Sequence, residues 1–373
     1  MIYLDNASTT KIDPEVLKEM MPCLEDCYGN PGSIHYMGVE ARKYIDIARE
    51  RVARAINADP DDIIFTSGGS ESNNLAVKFV CDIWGKPRCD ILTSNLEHDS
   101  MKKAVSRYAY NAEFLPYYDR ESMLGYIDDS LQRKNIDAVS FMYVNNELGI
   151  INPVREICTL GNSNLAITIV DAVQALGSEE IDVKKLDCDL LSISSHKIHG
   201  PKGVGALYVH KNFIKNGNLH PLILGGDNQE FGLRGGTENV AGIVGFGKAC
   251  ELINIDKNKA TISALRKEFL NGLNFEHRVN FDREDSKIIS LTIPGVDAET
   301  LVLMLSSPNG VCISAGSACK SLEQKPNEVL LAAGMSEDES RNTVRISLSE
   351  MNSSDEMKKS AEIINCCVNL LNK

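Results

Sequence analysis

Ser194-Ser195-His196-Lys197 closes the apolar run Leu190–Ile193 and opens a glycine-rich turn that reaches Gly205. A lysine amine at a strand end, beside hydroxyl and imidazole donors, suits a Schiff base near a phosphate. Such a site desolvates the amine, lowers its pKa and leaves a neutral nucleophile. Lys202, between Pro201 and Gly203, is the competing amine, and its plainer reading is a solvated turn lysine. Ser67-Gly68-Gly69-Ser70 follows Ile63–Phe65 and precedes a helical pattern. Small residues let backbone N–H groups approach an anion, and a helix N-terminus favours phosphate. The same turn could simply reverse the chain. Glu97-His98 follows Ile91–Thr93, and Asn145-Asn146-Glu147 follows Ala138–Val144. Asp171 follows Ala166–Val170, with Gln174 one helical turn on. Taken singly, His98 reads as a hydrogen-bonded structural histidine and Asp171 as a helix cap.

In an open α/β sheet, ligands gather at the carboxyl ends of the strands. A phosphate cradle, an amine, a carboxylate, a histidine and amide side chains all fall there. Pyridoxal phosphate requires that set: an amine for its aldehyde, an anion site for its phosphate and an acid for its pyridine nitrogen.

The elements that must position these residues alternate. Short apolar runs at 63–65, 90–93, 138–144, 166–170, 190–194 and 206–209 are separated by helical patterns. One of these is the helix near 41–56, whose Ala41, Tyr44, Ile45, Ala48, Val52 and Ala55 share a face. This predicts an α/β fold, a mainly parallel sheet with helices on both faces. The pattern changes near Ile255 to a helix near 261–274, strands at 278–281 and 288–293, a helix from Asp297, and strands near Val311 and Val344, a smaller α+β domain. The expected division is 15–255 for the large domain, and 1–14 with 256–373 for the small one.

With 373 residues the chain is long enough for two domains. Its 43% hydrophobic and 24% charged residues exclude a wholly disordered chain. No apolar stretch is long enough to cross a bilayer, and a net charge of −13 offers no bulk attraction for nucleic acid or anionic membrane. The first residues lack the basic and apolar regions of an export signal, so a cytoplasmic location is expected. The 11 cysteines are then read as free thiols in a reducing compartment, with no metal-ligand spacing among them.

These segments, in this order, resemble the cysteine desulfurases of the NifS/IscS type, class-V members of the fold-type-I pyridoxal-phosphate enzymes. The resemblance runs from Tyr3-Leu4-Asp5-Asn6-Ala7 to Arg345. It includes Gly29-Asn30-Pro31, Glu71-Ser72-Asn73-Asn74, Glu97-His98, Val144-Asn145-Asn146-Glu147, Asp171-Ala172-Val173-Gln174, Ser195-His196-Lys197 and Arg234-Gly235-Gly236-Thr237-Glu238-Asn239. Ser314-Ala315-Gly316-Ser317-Ala318-Cys319 is its most diagnostic part.

The resemblance implies a large domain built on a seven-stranded, mainly parallel sheet, and a role for each matching residue. Lys197 would carry the cofactor and Asp171 would keep its pyridine nitrogen protonated. His98 would stack on the ring and move protons, and Gln174 and Asn146 would bond the ring oxygen. Ser70, Ser194 and His196 would hold the phosphate. Thr237 would reach the phosphate of a second subunit, which implies a homodimer. Arg345, with Asn146, would bind the substrate carboxylate, and Cys319, in a loop running to Pro326, would be the nucleophile. The implied activity takes sulfur from L-cysteine, giving L-alanine and a persulfide on Cys319. The sulfur would pass to an acceptor protein serving iron–sulfur assembly, tRNA thiolation or DNA phosphorothioation. Selenocysteine lyase, another enzyme of the fold and a non-catalytic sulfur carrier are the alternatives. The chain departs from the family pattern at Gly69-Ser70, where Ala-Thr is usual and the hydroxyl is kept, and in a Gly225–Glu230 turn one residue longer.

Overall fold

A computed structural model describes residues 1–215, 218–226, 228–307, 310–315 and 326–372. The chain divides into two compact units, Lys11–Tyr143 with Asn152–Ile253, and Met1–Thr10 with Val144–Ile151 and Asn254–Lys373.

The first unit is built on a seven-stranded sheet. Its order is Ile63–Thr66, Gly205–Val209, Leu190–Ser194, Ile167–Asp171, Ala138–Met142, Cys89–Ser94, Ala109–Leu115. Gly205–Val209 alone runs against the direction of the other six. Five of these strands are buried at every position, as expected of strands covered by helices on both faces. The edge strand Ala109–Leu115 is an addition to the sequence expectation. Its exposed Tyr110, Asn111 and Ala112 break the apolar run by which the other strands are recognised.

Helix Gly69–Trp84 packs Leu75, Ala76, Phe79 and Val80 onto this sheet and ends at Gly85, whose left-handed φ of 61° reverses the chain. Helix Tyr36–Ala55 presents Ala41, Ile45, Ala48 and Val52, as their spacing predicts, but begins five residues earlier than Ala41 at a cap formed by His35. It meets helix Val240–Glu251 closely: a Cβ on Gly247 would lie 2.6 Å from Ala48 Cα.

In the second unit, Arg278–Asn280, Ile288–Thr292 and Thr343–Ser347 form an antiparallel sheet, and Ile2–Tyr3 pairs in parallel with Val311–Cys312. Helices Ile255–Asn271, Ala298–Leu305 and Ser354–Leu371 cover its core of Leu4, Phe269, Leu291, Leu301, Ile346, Ile364 and their neighbours. Among the described residues the ten cysteines are unbridged and seven are buried, as small hydrophobes are. Cys366 departs from that reading, being exposed on the last helix, and Cys312 and Cys367 are half-buried.

Candidate active site

Four strand ends of the first unit, those of Ile63–Thr66, Cys89–Ser94, Ile167–Asp171 and Leu190–Ser194, carry candidate residues at one edge of its sheet. Asp171 is the last residue of its strand and is buried. Its Oδ1 accepts from the backbone N–H of Val173 at 3.0 Å, and its Oδ2 from Asn73 Nδ2 at 2.7 Å. The same Asn73 amide lies 3.0 Å from Ser100 Oγ, whose hydroxyl is in turn 2.8 Å from His98 Nδ1. Asp171, Asn73, Ser100 and His98 thus form one connected polar chain across three elements. His98 also caps helix Asp99–Tyr108 by accepting from Ser100 N. Its pKa is held below the ordinary value by desolvation; the carboxylate of Asp171 opposes that shift and the charge of Lys197 adds to it.

Lys197, half-buried, closes the single turn Ser195–Lys197 after strand Leu190–Ser194. His196 beside it is pushed down to about 4, chiefly by burial and then by the charges of Lys197 and Lys202, so its imidazole is neutral near pH 7. Gln174 is buried in the turn that follows Asp171.

The turn after Ile63–Thr66 has the features of an anion cradle. Helix Gly69–Trp84 starts at Gly68 with no side-chain cap, which leaves its first N–H groups for another acceptor. A Cβ on Gly205 would lie 2.7 Å from Gly68 Cα, so this close approach of two backbones requires glycine. Ser194 Oγ is buried and has no hydrogen-bond partner among the described residues; a Cβ on Gly68 would lie 4.0 Å from it. Ser70 is exposed on the first helical turn. An uncapped helix N-terminus facing an unpartnered buried hydroxyl fits a phosphate, and a buried carboxylate with two N–H donors fits a protonated pyridine nitrogen. The residues present therefore fit pyridoxal phosphate.

Thr237 is exposed, on a segment tied to this turn by Arg234. Its Nε donates to Glu71 Oε1 at 3.0 Å, while Glu71 Oε2 accepts from Ser67 N at 2.8 Å.

Two of the sequence-predicted residues lie together in the second unit. Arg345, at the centre of strand Thr343–Ser347, donates through Nη1 to Glu147 Oε1 at 2.7 Å and to the carbonyl of Asn146 at 3.1 Å. Through Nη2 it donates to Asp5 Oδ1 at 2.9 Å and Ser8 Oγ at 2.7 Å. Across the strand it pairs with Ser314, the start of the segment leading to Cys319. Cys319 itself lies outside the described residues.

The residue-type reading named Glu97 and Glu147 at strand ends without giving them a role, and it did not single out Asn73 or Asp5. Asn73 had a signal: it heads the apolar stripe Ala76, Val77, Val80 at helical spacing, where an amide needs a reason to be buried. Glu97 is fully buried, its Oε1 accepting from Ser94 Oγ at 2.8 Å and Met142 N at 3.0 Å. Asp5 had none, since its partner is 340 residues away.

The class-V aminotransferase family model matches residues 2–359. The cysteine desulfurase IscS of Clostridium botulinum is 37% identical over 97% of this chain and 93% of its own length. The IscS of Dictyoglomus turgidum is 38% identical over the same shares. Among solved structures, a NifS-like protein superposes with a TM-score of 0.89 at 31% identity, covering 99% of both chains. SspA in complex with cysteine does so with 0.81 at 31% identity, over 95% of this chain and all of its own. No helix among the described residues is long and apolar enough to cross a membrane. A motif order that runs the length of the chain, the strand-end cluster that fits pyridoxal phosphate and relatives similar over nearly the whole length agree: the chain belongs to the cysteine desulfurases of the class-V aminotransferase family.

Proposed function

We propose that this enzyme takes the sulfur of L-cysteine onto Cys319, releases L-alanine and hands the sulfur to an acceptor protein. The observation that carries the reading is the connected group at the sheet edge, the Asp171–Asn73–Ser100–His98 chain.

Ser70, Ser194, His196 and the first N–H groups of helix Gly69–Trp84 would hold the cofactor's phosphate. Asp171 would face its ring nitrogen, Gln174 and Asn146 its ring oxygen, His98 its ring face, and Lys197 Nζ would be its covalent anchor. When bound, pyridoxal phosphate supplies an aldehyde that captures the substrate amine and a ring that stabilises charge at the α-carbon. Asp171, whose two oxygens accept from Val173 N and Asn73 Nδ2, would face the ring nitrogen and favour its protonated form. Neutral His196 donates to phosphate without bringing a second cation next to Lys197. Lys197 Nζ takes the α-proton and returns protons to the departing product. Arg345 and Asn146 orient the substrate carboxylate.

Cys319 Sγ, as thiolate, attacks the substrate sulfur. The S–S bond forms and the carbon–sulfur bond breaks. Its electron pair stays with the carbon that becomes the methyl group of alanine once protonated. In this reading the domain limits 15–255 and 1–14 with 256–373 separate a cofactor domain from one that carries the Cys319 loop, and Thr237 serves a second subunit of a homodimer.

The test is Cys319→Ser. The variant should keep the cofactor's colour and lose sulfide release, and mass spectrometry of wild-type enzyme given L-cysteine should find one extra sulfur atom on Cys319. Undiminished turnover by Cys319→Ser would refute the assignment.

A further inference from the structure

The guanidinium of Arg345 is already occupied. It has five N–H donors. Those of Nη1 go to Glu147 Oε1 and the Asn146 carbonyl, and those of Nη2 to Asp5 Oδ1 and Ser8 Oγ. Only Nε–H is left, buried and without a partner among the described residues. A carboxylate is gripped strongly when it lies on two adjacent N–H groups. A guanidinium offers two such edges, Nε with Nη2 and Nη1 with Nη2, and Nη2 belongs to both. Any two-pronged capture of a carboxylate must therefore take an Nη2 hydrogen from Asp5 or Ser8. The vacant Nε–H marks the edge where the exchange requires least: one Nη2 bond breaks and both prongs of the Nε–Nη2 edge become available.

Asp5 is delivered to this position by backbone, not by a wandering side chain. Ser347 N donates to the Leu4 carbonyl at 2.7 Å, Asn6 N to the Ser347 carbonyl at 3.3 Å and Ala7 N to Ser347 Oγ at 2.9 Å. Residues 4 to 7 are thus fastened alongside the strand that carries Arg345. Ser8 Oγ also donates to Asp5 Oδ1 at 2.9 Å, which orients the carboxylate that Nη2 meets. With Asp5 and Glu147 both on one guanidinium, the cluster holds more carboxylate than cation, which opposes the approach of a third carboxylate.

We infer that Asp5 is an internal stand-in for the substrate's carboxylate, and that substrate binds by exchanging one carboxylate for another at Arg345 Nη2. Asp5 then sets substrate affinity and keeps the buried guanidinium paired between turnovers. This rests on the assignment of Arg345 to the substrate carboxylate made above.

The experiment uses the holoenzyme and two amines, L-alanine, which has a carboxylate and no sulfur, and ethylamine, which has neither. Titration calorimetry of Asp5→Asn should show L-alanine binding tightened about fivefold, since a bond to a charged acceptor is replaced by a weaker neutral one. Ethylamine binding should not move. KM for L-cysteine should fall by a similar factor, with a smaller change in kcat. Ser8→Ala, which removes the other Nη2 partner and leaves the backbone pairing intact, should shift L-alanine in the same direction and serves if Asp5→Asn does not fold. Unchanged or weakened L-alanine binding in these variants overturns the proposal. Arg345→Gln separates the two layers: it should abolish the advantage of L-alanine over ethylamine. If that advantage survives, the assignment of Arg345 fails and the proposal with it; if it disappears while Asp5→Asn and Ser8→Ala have no effect, the proposal alone falls.

Discussion

Asn73 Nδ2 donates to Asp171 Oδ2 across 98 residues of sequence, at 2.7 Å, from the second turn of a helix to the last residue of a strand. The bond joins the element that opens the phosphate cradle to the carboxylate assigned to the ring nitrogen. Asn73→Ala strips that carboxylate of one of its two N–H donors and leaves Ser100 Oγ without the amide. The expected result is a loss of about 1–3 kcal/mol of stability and weaker cofactor retention, because a buried acceptor is left short of a donor. Dialysis against buffer without cofactor, followed by absorbance, measures the second effect. Equal retention in variant and wild type would mean that Asn73 does not hold Asp171 in its working position.

Glu97 is fully buried, and its carboxyl is pushed up to about 8, chiefly by burial, with the charge of Asp171 acting in the same direction. The folded protein then binds this proton up to about pH 8, whereas the unfolded chain releases it near pH ~4.3. Within that window the folded state holds more protons, so its stability falls as pH rises, by about 1.4 kcal/mol per pH unit from this one group. Glu97→Gln is neutral throughout and should flatten the decline. Thermal melts at about pH 6 and about pH 8 check this: the wild type should lose more stability than the variant across that interval. Parallel slopes for the two proteins would show that Glu97 does not carry the effect. Glu97→Ala removes the acceptor shared by Ser94 Oγ and Met142 N and should cost about 1–3 kcal/mol at either pH.

Arg49 and Glu230 form a buried two-pronged ion pair, Nη2 to Oε1 at 2.6 Å and Nη1 to Oε2 at 2.9 Å, with 8% and 2% of their side chains exposed. The pair also finishes the edge of the strand before the cradle turn. Phe65 N donates to Glu230 Oε2 at 2.7 Å, and Arg49 Nη1 donates to the Ile63 carbonyl. The Phe65 and Phe231 rings flank the guanidinium at 4.7 and 5.2 Å. Arg49→Met leaves a buried carboxylate without its cation and should destabilise by about 3–5 kcal/mol. Adding Glu230→Gln should recover part of that loss, since the pair acts as a unit. Denaturant midpoints of the two single variants and the double variant decide it; strictly additive losses would deny the coupling.

Lys197→Ala removes the amine assigned to the cofactor's aldehyde. The variant should fold with the wild-type melting behaviour, lose the visible absorption that covalent attachment gives the cofactor, and lose roughly 10²–10⁴ or more in turnover with the proton-transfer role. Lys202→Ala, the other lysine of the same turn, should keep both spectrum and activity. A reversal of these two outcomes would exchange their assignments.

The sequence by itself determined the class of chemistry. Lysine, carboxylate, histidine and small-residue turns each follow an apolar run, and in a parallel sheet the ends of such runs meet at one edge, so local order was enough to propose which residues gather there. It also proposed Cys319 as the nucleophile, by the residues on either side of it, a reading that lies outside the described residues. Tertiary structure decided what depends on partners far along the chain. The amide on Asp171, the protonated burial of Glu97 and the two carboxylates on Arg345 arise from contacts between elements whose spacing carries no periodic signal. The edge strand Ala109–Leu115 and the passage of Val144–Ile151 into the second unit have the same origin. Hydrophobic periodicity reports which face of an element is buried, whereas the identity of a polar group's partner is settled only when the elements pack.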